Sequence, residues 1–318
     1  MILIGRSHRV PVKLCMGAAD GGRGRVYFAP GRTAGRPAPS LPETRTPAMP
    51  ELPEVETTRR GLVPHVEGAY VTGVAVRHHG LRWPVPRGLG AKIAGRRIAA
   101  LRRRAKYLLF DLGDATLIVH LGMSGSLRIT RADEPPGPYD HFDLRLGEKV
   151  LRLRDPRRFG AVLWQRGPPD THPLIAGLGV EPFGPDFTPE FLFAASRGRK
   201  VAVKQFLMNA SIVVGVGNIY ASESLFRARI NPRLRAGRLS RAACVRLHAA
   251  VRETLERAIE AGGSSLRDFV GSDGEPGSFQ QEYCVYGRDG EPCSVCSTPV
   301  RRIVQGARST YFCPVCQR

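Results

Sequence analysis

Two stretches of this chain hold residues whose types and spacing could do chemistry. The first is Met49-Pro50-Glu51-Leu52-Pro53-Glu54-Val55-Glu56-Thr57. An internal proline nitrogen is a tertiary amide without an N–H and without useful nucleophilicity. A terminal proline is a free secondary amine. A small second residue lets an initiator methionine be trimmed, so translation from Met49 would leave Pro50 at the front. An α-amino group titrates near ~8, so a sizeable fraction is unprotonated at neutral pH and can attack a carbon electrophile, forming a Schiff base. Glu51 stands beside it as an acid. A plainer reading of the same residues is a helix start, with proline and acids in the first turn where the helix dipole favours them.

The second stretch is C-terminal. Cys293-Ser294-Val295-Cys296 and Cys313-Pro314-Val315-Cys316 are sixteen residues apart, the pattern C-x2-C-x16-C-x2-C. Thiolate pairs bracketing a hairpin place sulfurs at tetrahedral corners, the geometry of structural zinc. Two disulfides are the alternative. No His, Asp or open position completes the pattern, so the metal is expected to be structural. The chain has seven cysteines, an odd number that suits a metal site in a reducing compartment better than a secreted disulfide scaffold. Cys15, Cys244 and Cys284 are left without a role.

Composition narrows the partner. At 318 residues the chain is long enough for two ordinary domains and an appendage. A net charge of +20 fits a polyanion, most simply nucleic acid. Residues 1–48 hold eight Lys/Arg and two Asp/Glu, so +20 less +6 leaves +14 on the remainder. There Arg and Lys interleave with apolar strands, which argues for a folded basic face. The leader is rich in Gly, Pro and Arg without sustained period and reads as disordered. Its apolar start is broken at Gly5-Arg6, unlike a secretory signal; an organellar transit peptide is the alternative. The preferred expectation is that the working start is Met49 and the leader does not persist in the mature protein. No apolar run is long enough to span a bilayer.

These residues need elements to position them. Glu51 to His65 reads as a helix. Short apolar runs then alternate with turn signals, for example Val71 to Val76, Tyr107 to Leu112, Thr116 to Leu121, Val150 to Leu153 and Ala161 to Trp164, which predicts a β-sandwich or barrel to about residue 180. Residues 187–283 read as helical. Thr188-Pro189-Glu190 is a cap with proline at the first helical position, and an amphipathic helix runs from about Ser240 to Ala261. Between them Gly215-Val216-Gly217-Asn218 fits a turn whose N–H groups would face phosphate at a helix N-terminus. Gly262 to Phe269 holds a serine cap with an acid three residues later, and Gly271 to Gln281 reads as a mobile loop.

The opening stretch, Asp155-Pro156-Arg157-Arg158-Phe159-Gly160, Gly215-Val216-Gly217-Asn218-Ile219-Tyr220-Ala221-Ser222-Glu223 and the cysteine quartet occur in order over residues 49–318. Together they resemble the bacterial formamidopyrimidine-DNA glycosylases. The resemblance implies an α+β fold: a catalytic β-sandwich domain with a leading helix over 49–180, a helix–two-turn–helix domain over 187–283, and a zinc-finger hairpin over 284–318. It implies catalytic roles for Pro50, Glu51, Lys106 and Arg308, and one structural zinc on Cys293, Cys296, Cys313 and Cys316. Met123, Arg157 and Phe159 would wedge into the gap left by an extruded base. DNA contacts are implied for His120, Tyr139, His141, Arg157, Arg199, Asn218 and Arg267. The chain departs from the family in places. Tyr139-Asp140-His141 replaces the usual His-Asp-His, Met208-Asn209-Ala210-Ser211 lacks an acidic and basic pair, and Ser278 stands where an aromatic is common.

The function so implied is a bifunctional glycosylase and abasic-site lyase of base excision repair that removes 8-oxoguanine and formamidopyrimidines, then cleaves by β,δ-elimination. The expected partner is damaged double-stranded DNA, met by a monomer in the bacterial cytoplasm, at the nucleoid. The alternatives are the endonuclease VIII-like class that prefers oxidised pyrimidines, against which Leu52 and the wedge set argue, and a non-enzymatic zinc-bearing DNA-binding protein if the leader stays attached.

Overall fold

The computed structural model of the protein describes residues 49–264 and 277–318. Expectations for the leader, for Cys15, for Arg267 and for most of the segment 271–281 lie outside the described residues. The first helix, α1, is Leu52–Val66. Glu51 caps it in extended conformation, and its N–H donates to the Glu54 carboxylate at 2.8 Å, so an acid three residues on satisfies an otherwise free end. Leu52, Val55, Leu62 and Val66 form its buried stripe.

Eight strands follow: β1 Gly73–Val76, β2 Ala100–Arg104, β3 Tyr107–Asp111, β4 Ala115–His120, β5 Ser126–Arg131, β6 Asp140–Leu146, β7 Lys149–Arg154 and β8 Ala161–Arg166, with a short α2, Leu89–Ile93, between β1 and β2. They make two four-stranded sheets, ordered β1-β6-β7-β5 and β2-β3-β4-β8. All pairings are antiparallel. Val55 and Leu62 of α1 join Leu108, Phe110, Leu117, Leu144 and Leu153 in one core, so the helix lies on the sandwich. β2 and β6 have no clean apolar run. β6 nevertheless buries most of its residues, because Asp143 bonds Arg152 of β7 at 3.0 Å through each oxygen. A charge inside a strand hid it from hydropathy.

The helical region contains α3 Pro173–Ala176, α4 Pro189–Ser196, α5 Val203–Leu207, α6 Asn218–Arg227 and α7 Arg241–Glu260. Thr188 and Ser240 cap α4 and α7 through their hydroxyls. Phe206, Ile219, Tyr220, Leu225, Leu247, Val251 and Leu255 share the second core. The chain ends in a hairpin, β9 Arg301–Gln305 and β10 Arg308–Phe312, whose intervening Gly306 and Ala307 both have positive φ, as a tight two-residue turn demands. Phe226 of α6 packs with Val285, Val300 and the cysteines, seating the hairpin on the helices. Among the described residues no helix is long and apolar enough to cross a membrane.

Candidate active site

The start of α1 meets the start of α6. The Glu51 carboxylate, 2 % exposed, accepts the N–H of Gly217 at 2.7 Å and of Ile219 at 3.1 Å. Leu52 N–H donates to Gly215 carbonyl at 3.1 Å. This corrects the expectation that the glycine turn offers its amides to phosphate, because a carboxylate from α1 already fills that helix end. It also explains the glycines. A Cβ on Gly217 would lie 2.2 Å from the Glu51 carboxyl carbon, and one on Gly215, at φ +80, would lie 2.6 Å from the Leu52 side chain. Glu54 strengthens the junction, accepting from Tyr220 hydroxyl at 2.5 Å and Ser264 N–H at 2.8 Å.

Cations gather around Glu51. Lys106 sits in the β2–β3 turn, beside Ala105 at φ 54. Burial pushes the Glu51 carboxyl above its ordinary value although Lys106 draws it down, and burial pushes the Lys106 ammonium below its own although Glu51 opposes this. Each therefore reaches its neutral form more readily than in water, as acid–base work requires. Lys204 of α5 is almost wholly buried. Its Nζ donates to Asn218 Oδ1 at 2.7 Å, Thr310 Oγ1 at 2.9 Å and Ser309 carbonyl at 3.1 Å. Burial lowers its pKa to about 7, with Glu51 opposing and Arg308 assisting. Arg308 follows the hairpin turn, exposed, and its charge reaches both lysines. His120 closes the group from β4: its Nδ1 accepts Gly122 N–H at 3.0 Å, and burial with Lys106 nearby lowers its pKa to about 4, so it is neutral at pH 7.

A second group stands on the sandwich. Arg157 and Phe159 are exposed, with the guanidinium 4.9 Å from the ring centroid. Met123 is half-buried on the adjoining turn. A Cβ on Gly122, at φ +68, would lie 2.3 Å from the Phe159 carbonyl carbon, so the two loops touch backbone to backbone. Tyr139 is 43 % exposed and has Arg154 over its ring. His141 differs from Tyr139: it is buried, and its Nε2 bonds the Asp155 carbonyl at 3.0 Å. That nitrogen is turned inward, away from any partner outside the protein.

At the C-terminus the sulfurs of Cys293, Cys296, Cys313 and Cys316 all lie within 4.8 Å of one another. The Cys293–Cys316 and Cys296–Cys313 pairs are 3.9 and 3.5 Å apart. Tetrahedral zinc with Zn–S near ~2.3 Å needs sulfurs about 3.8 Å apart, so the quartet fits one zinc ion and is too open for disulfides.

Glu51, Lys106, His120, Asn218 and Arg308 thus come together. Arg199 does not: its hydrogen bonds are to Ala195, Ser196 and Gly237. Lys204 was missed by sequence reasoning. Its signal was a lone lysine inside the apolar run Val201-Ala202-Val203-Lys204-Gln205-Phe206-Leu207.

Comparison with known proteins agrees with this geometry. Residues 49–162 match the formamidopyrimidine-DNA glycosylase N-terminal domain, 178–270 the H2TH domain of the same enzymes, and 290–318 the zinc finger found in FPG and IleRS. The formamidopyrimidine-DNA glycosylase of Aromatoleum aromaticum is 59 % identical over 270 residues, covering 85 % of this chain and 100 % of its own length. That of Janthinobacterium sp. is 56 % identical over 273 residues with the same coverage. The crystal structure of MutM (Fpg) from Thermus thermophilus superposes with TM-score 0.76 at 42 % identity, over 84 % of this chain and 98 % of that one. The Lactococcus lactis enzyme bound to DNA containing Fapy-dG gives 0.76 at 33 % identity, over 84 % and 100 %. Three matched domains in order and 56–59 % identity over the full length of these relatives mean that this chain belongs to the formamidopyrimidine-DNA glycosylase family.

Proposed function

We propose that the protein is a DNA glycosylase and abasic-site lyase of base excision repair that removes oxidised purines from damaged duplex DNA. The observation that carries the reading is the Glu51 carboxylate, buried between α1 and α6 and facing Lys106, with Pro50 as its preceding residue. Pro50 is the terminal residue of the working polypeptide; in support, the family match begins at residue 49 and whole relatives align to 85 % of this chain. Its amine attacks C1′ of the damaged nucleotide and displaces the base as an iminium forms. Glu51, its carboxyl raised by burial, protonates the sugar oxygen as the ring opens. The iminium acidifies the neighbouring C–H bonds, so the 3′ and then the 5′ phosphate leaves. Lys106, less basic through burial, moves the proton in elimination.

Neutral His120, Asn218 and Arg308 take the phosphates around the lesion. Lys204 holds the Asn218 oxygen and Tyr286 hydroxyl accepts from the amide nitrogen at 3.4 Å, which leaves one N–H to donate to DNA. Met123, Arg157 and Phe159 fill the gap left by the extruded base, and Tyr139 takes a flanking phosphate. His141 serves as a support for these loops. Arg199 extends the DNA contact beyond the lesion. The zinc ion is structural, and the enzyme acts as a monomer on bacterial nucleoid DNA in the cytoplasm. The catalytic domain spans 49–180, the helix–two-turn–helix domain 187–283 and the finger 284–318.

Borohydride trapping on a duplex with 8-oxoguanine opposite cytosine tests the reading. Protein beginning at Pro50 should give a covalent adduct that one extra N-terminal residue abolishes. No adduct from the Pro50 form overturns the assignment.

A further inference from the structure

One buried carboxylate joins all three loops of the second group. Asp155 is 0 % exposed. Its Oδ1 accepts the Ser124 hydroxyl at 2.7 Å and its Oδ2 accepts Gly160 N–H at 2.7 Å. Its own N–H donates to Tyr139 carbonyl at 2.9 Å, and its carbonyl bonds His141 Nε2 at 3.0 Å. Ser124 is used twice: while its hydroxyl donates to Asp155, its oxygen accepts Arg157 N–H at 3.1 Å. Ser124 follows Met123, Gly160 follows Phe159, and the amide bonded to Ser124 is that of Arg157 itself. Every proposed wedge residue is therefore at most one peptide unit from this knot.

We infer that Asp155 and Ser124 are positioning residues that lock Met123 in register with Arg157 and Phe159, and that this register is needed to open an intact base stack. The inference rests on the wedge reading above. Pairing of His120 with Ala161 and of Ser126 with Arg154 holds the two turns side by side, but it stops short of the wedge residues themselves. Arg157 and Phe159 are exposed, and Arg158 between them is held at φ 58, a left-handed conformation that arginine does not favour unaided. Without the Ser124 oxygen, both a buried carboxylate oxygen and the Arg157 amide lose a partner, and the link that sets Met123 against Arg157 is gone. The role is selective. A damaged base must be levered out of the helix before Pro50 reaches C1′, whereas an abasic site has no base to lever.

The test compares Ser124→Ala and Asp155→Asn with Met123→Ala as the benchmark, in zinc-loaded protein carrying the mature N-terminus. For each, kcat/KM is measured on duplex with 8-oxoguanine and on the same duplex with an abasic site. Extrusion is followed by 2-aminopurine fluorescence beside the lesion. The ratio of the activities is read within one preparation, so a smaller folded fraction does not alter it. Ser124→Ala should lower the 8-oxoguanine to abasic ratio by about tenfold, the effect of one lost hydrogen bond to a charged group, and should slow the fluorescence change. Asp155→Asn, which can still accept Gly160 N–H, should lower it less. If Met123→Ala shifts the ratio and Ser124→Ala does not, the locking role is wrong while the wedge reading stands. If none of the variants shifts it, both are wrong. Loss of all activity on both substrates by the unmutated protein would instead overturn the glycosylase reading.

Discussion

Two clusters of buried charge lie in this protein and behave in opposite ways. In the sandwich, Arg152 is 2 % exposed and bonds Asp143 through both oxygens, with Arg77 pairing the same carboxylate and Asp140 close by. Burial pulls the Asp143 carboxyl up, but hydrogen bonds from Arg77 and Arg152 take it below its ordinary value, and Asp143 in turn raises Arg152. Both groups are pushed toward charge. At the junction of α1 and α6, Glu51 is raised and Lys106 and Lys204 are lowered, toward neutrality. Burial is common to the two; direct pairing is not. Glu51 is bonded by backbone amides and Lys204 by neutral oxygens, so desolvation wins. A buried charge with an ionic partner is architecture, whereas one held by dipoles alone is available to exchange a proton.

The contrast can be broken by mutation. Glu51→Gln should reduce glycosylase turnover by about 10²–10⁴-fold, the range for a lost general acid, with a folded protein by circular dichroism. Arg152→Met should do the reverse. Removing one partner of a buried pair costs about 3–5 kcal/mol, seen as an earlier denaturant midpoint, with kcat per folded molecule unchanged. If Arg152→Met abolished turnover in the folded fraction, the division between the clusters would fail.

Finer tests sharpen it. Lys204→Met should weaken DNA binding by about tenfold, since Asn218 loses a charge-assisted bond worth about 1.5–3 kcal/mol in other settings. The same variant has a signature in pH. The folded pKa of Lys204, about 7, lies below the unfolded value, so the unfolded chain holds that proton longer. The stability contribution should therefore rise with pH from about 7 to ~10.4 in the unmutated protein, and the variant should lack that rise. His120 gives the smallest effect. Its folded pKa of about 4 lies below the ordinary 6.5, so its contribution is fully present above 6.5 and falls as pH drops toward 4. The slope is at most about 1.4 kcal/mol per pH unit, and His120→Gln should flatten it in acid melts.

Much of this was legible beforehand, for identifiable reasons. The buried Glu51 at the start of α1 and the cysteine quartet were visible because their signals lie between neighbours in sequence. The sandwich was visible where strands were apolar and hidden at β6, where charges turn inward. Lys204 was hidden because its partners, Asn218 and Thr310, are remote in sequence. The glycines of the helix turn were seen but assigned the wrong neighbour: spacing shows that backbone must approach something, and only the fold shows that it is Leu52 at Gly215 and Glu51 at Gly217. His141 was expected to face DNA, and the buried Asp155 carbonyl that holds it could not be read from a motif.

The contact of Glu51 with Gly217 and Ile219 has a mechanical side. The strand-rich and helical halves are fastened to each other by the same carboxylate that is proposed to deliver a proton. A proton added to that group removes its negative charge and so weakens it as an acceptor for both amides. The hold between the halves and the charge on this side chain are therefore coupled, and whatever protonates the acid also slackens the joint.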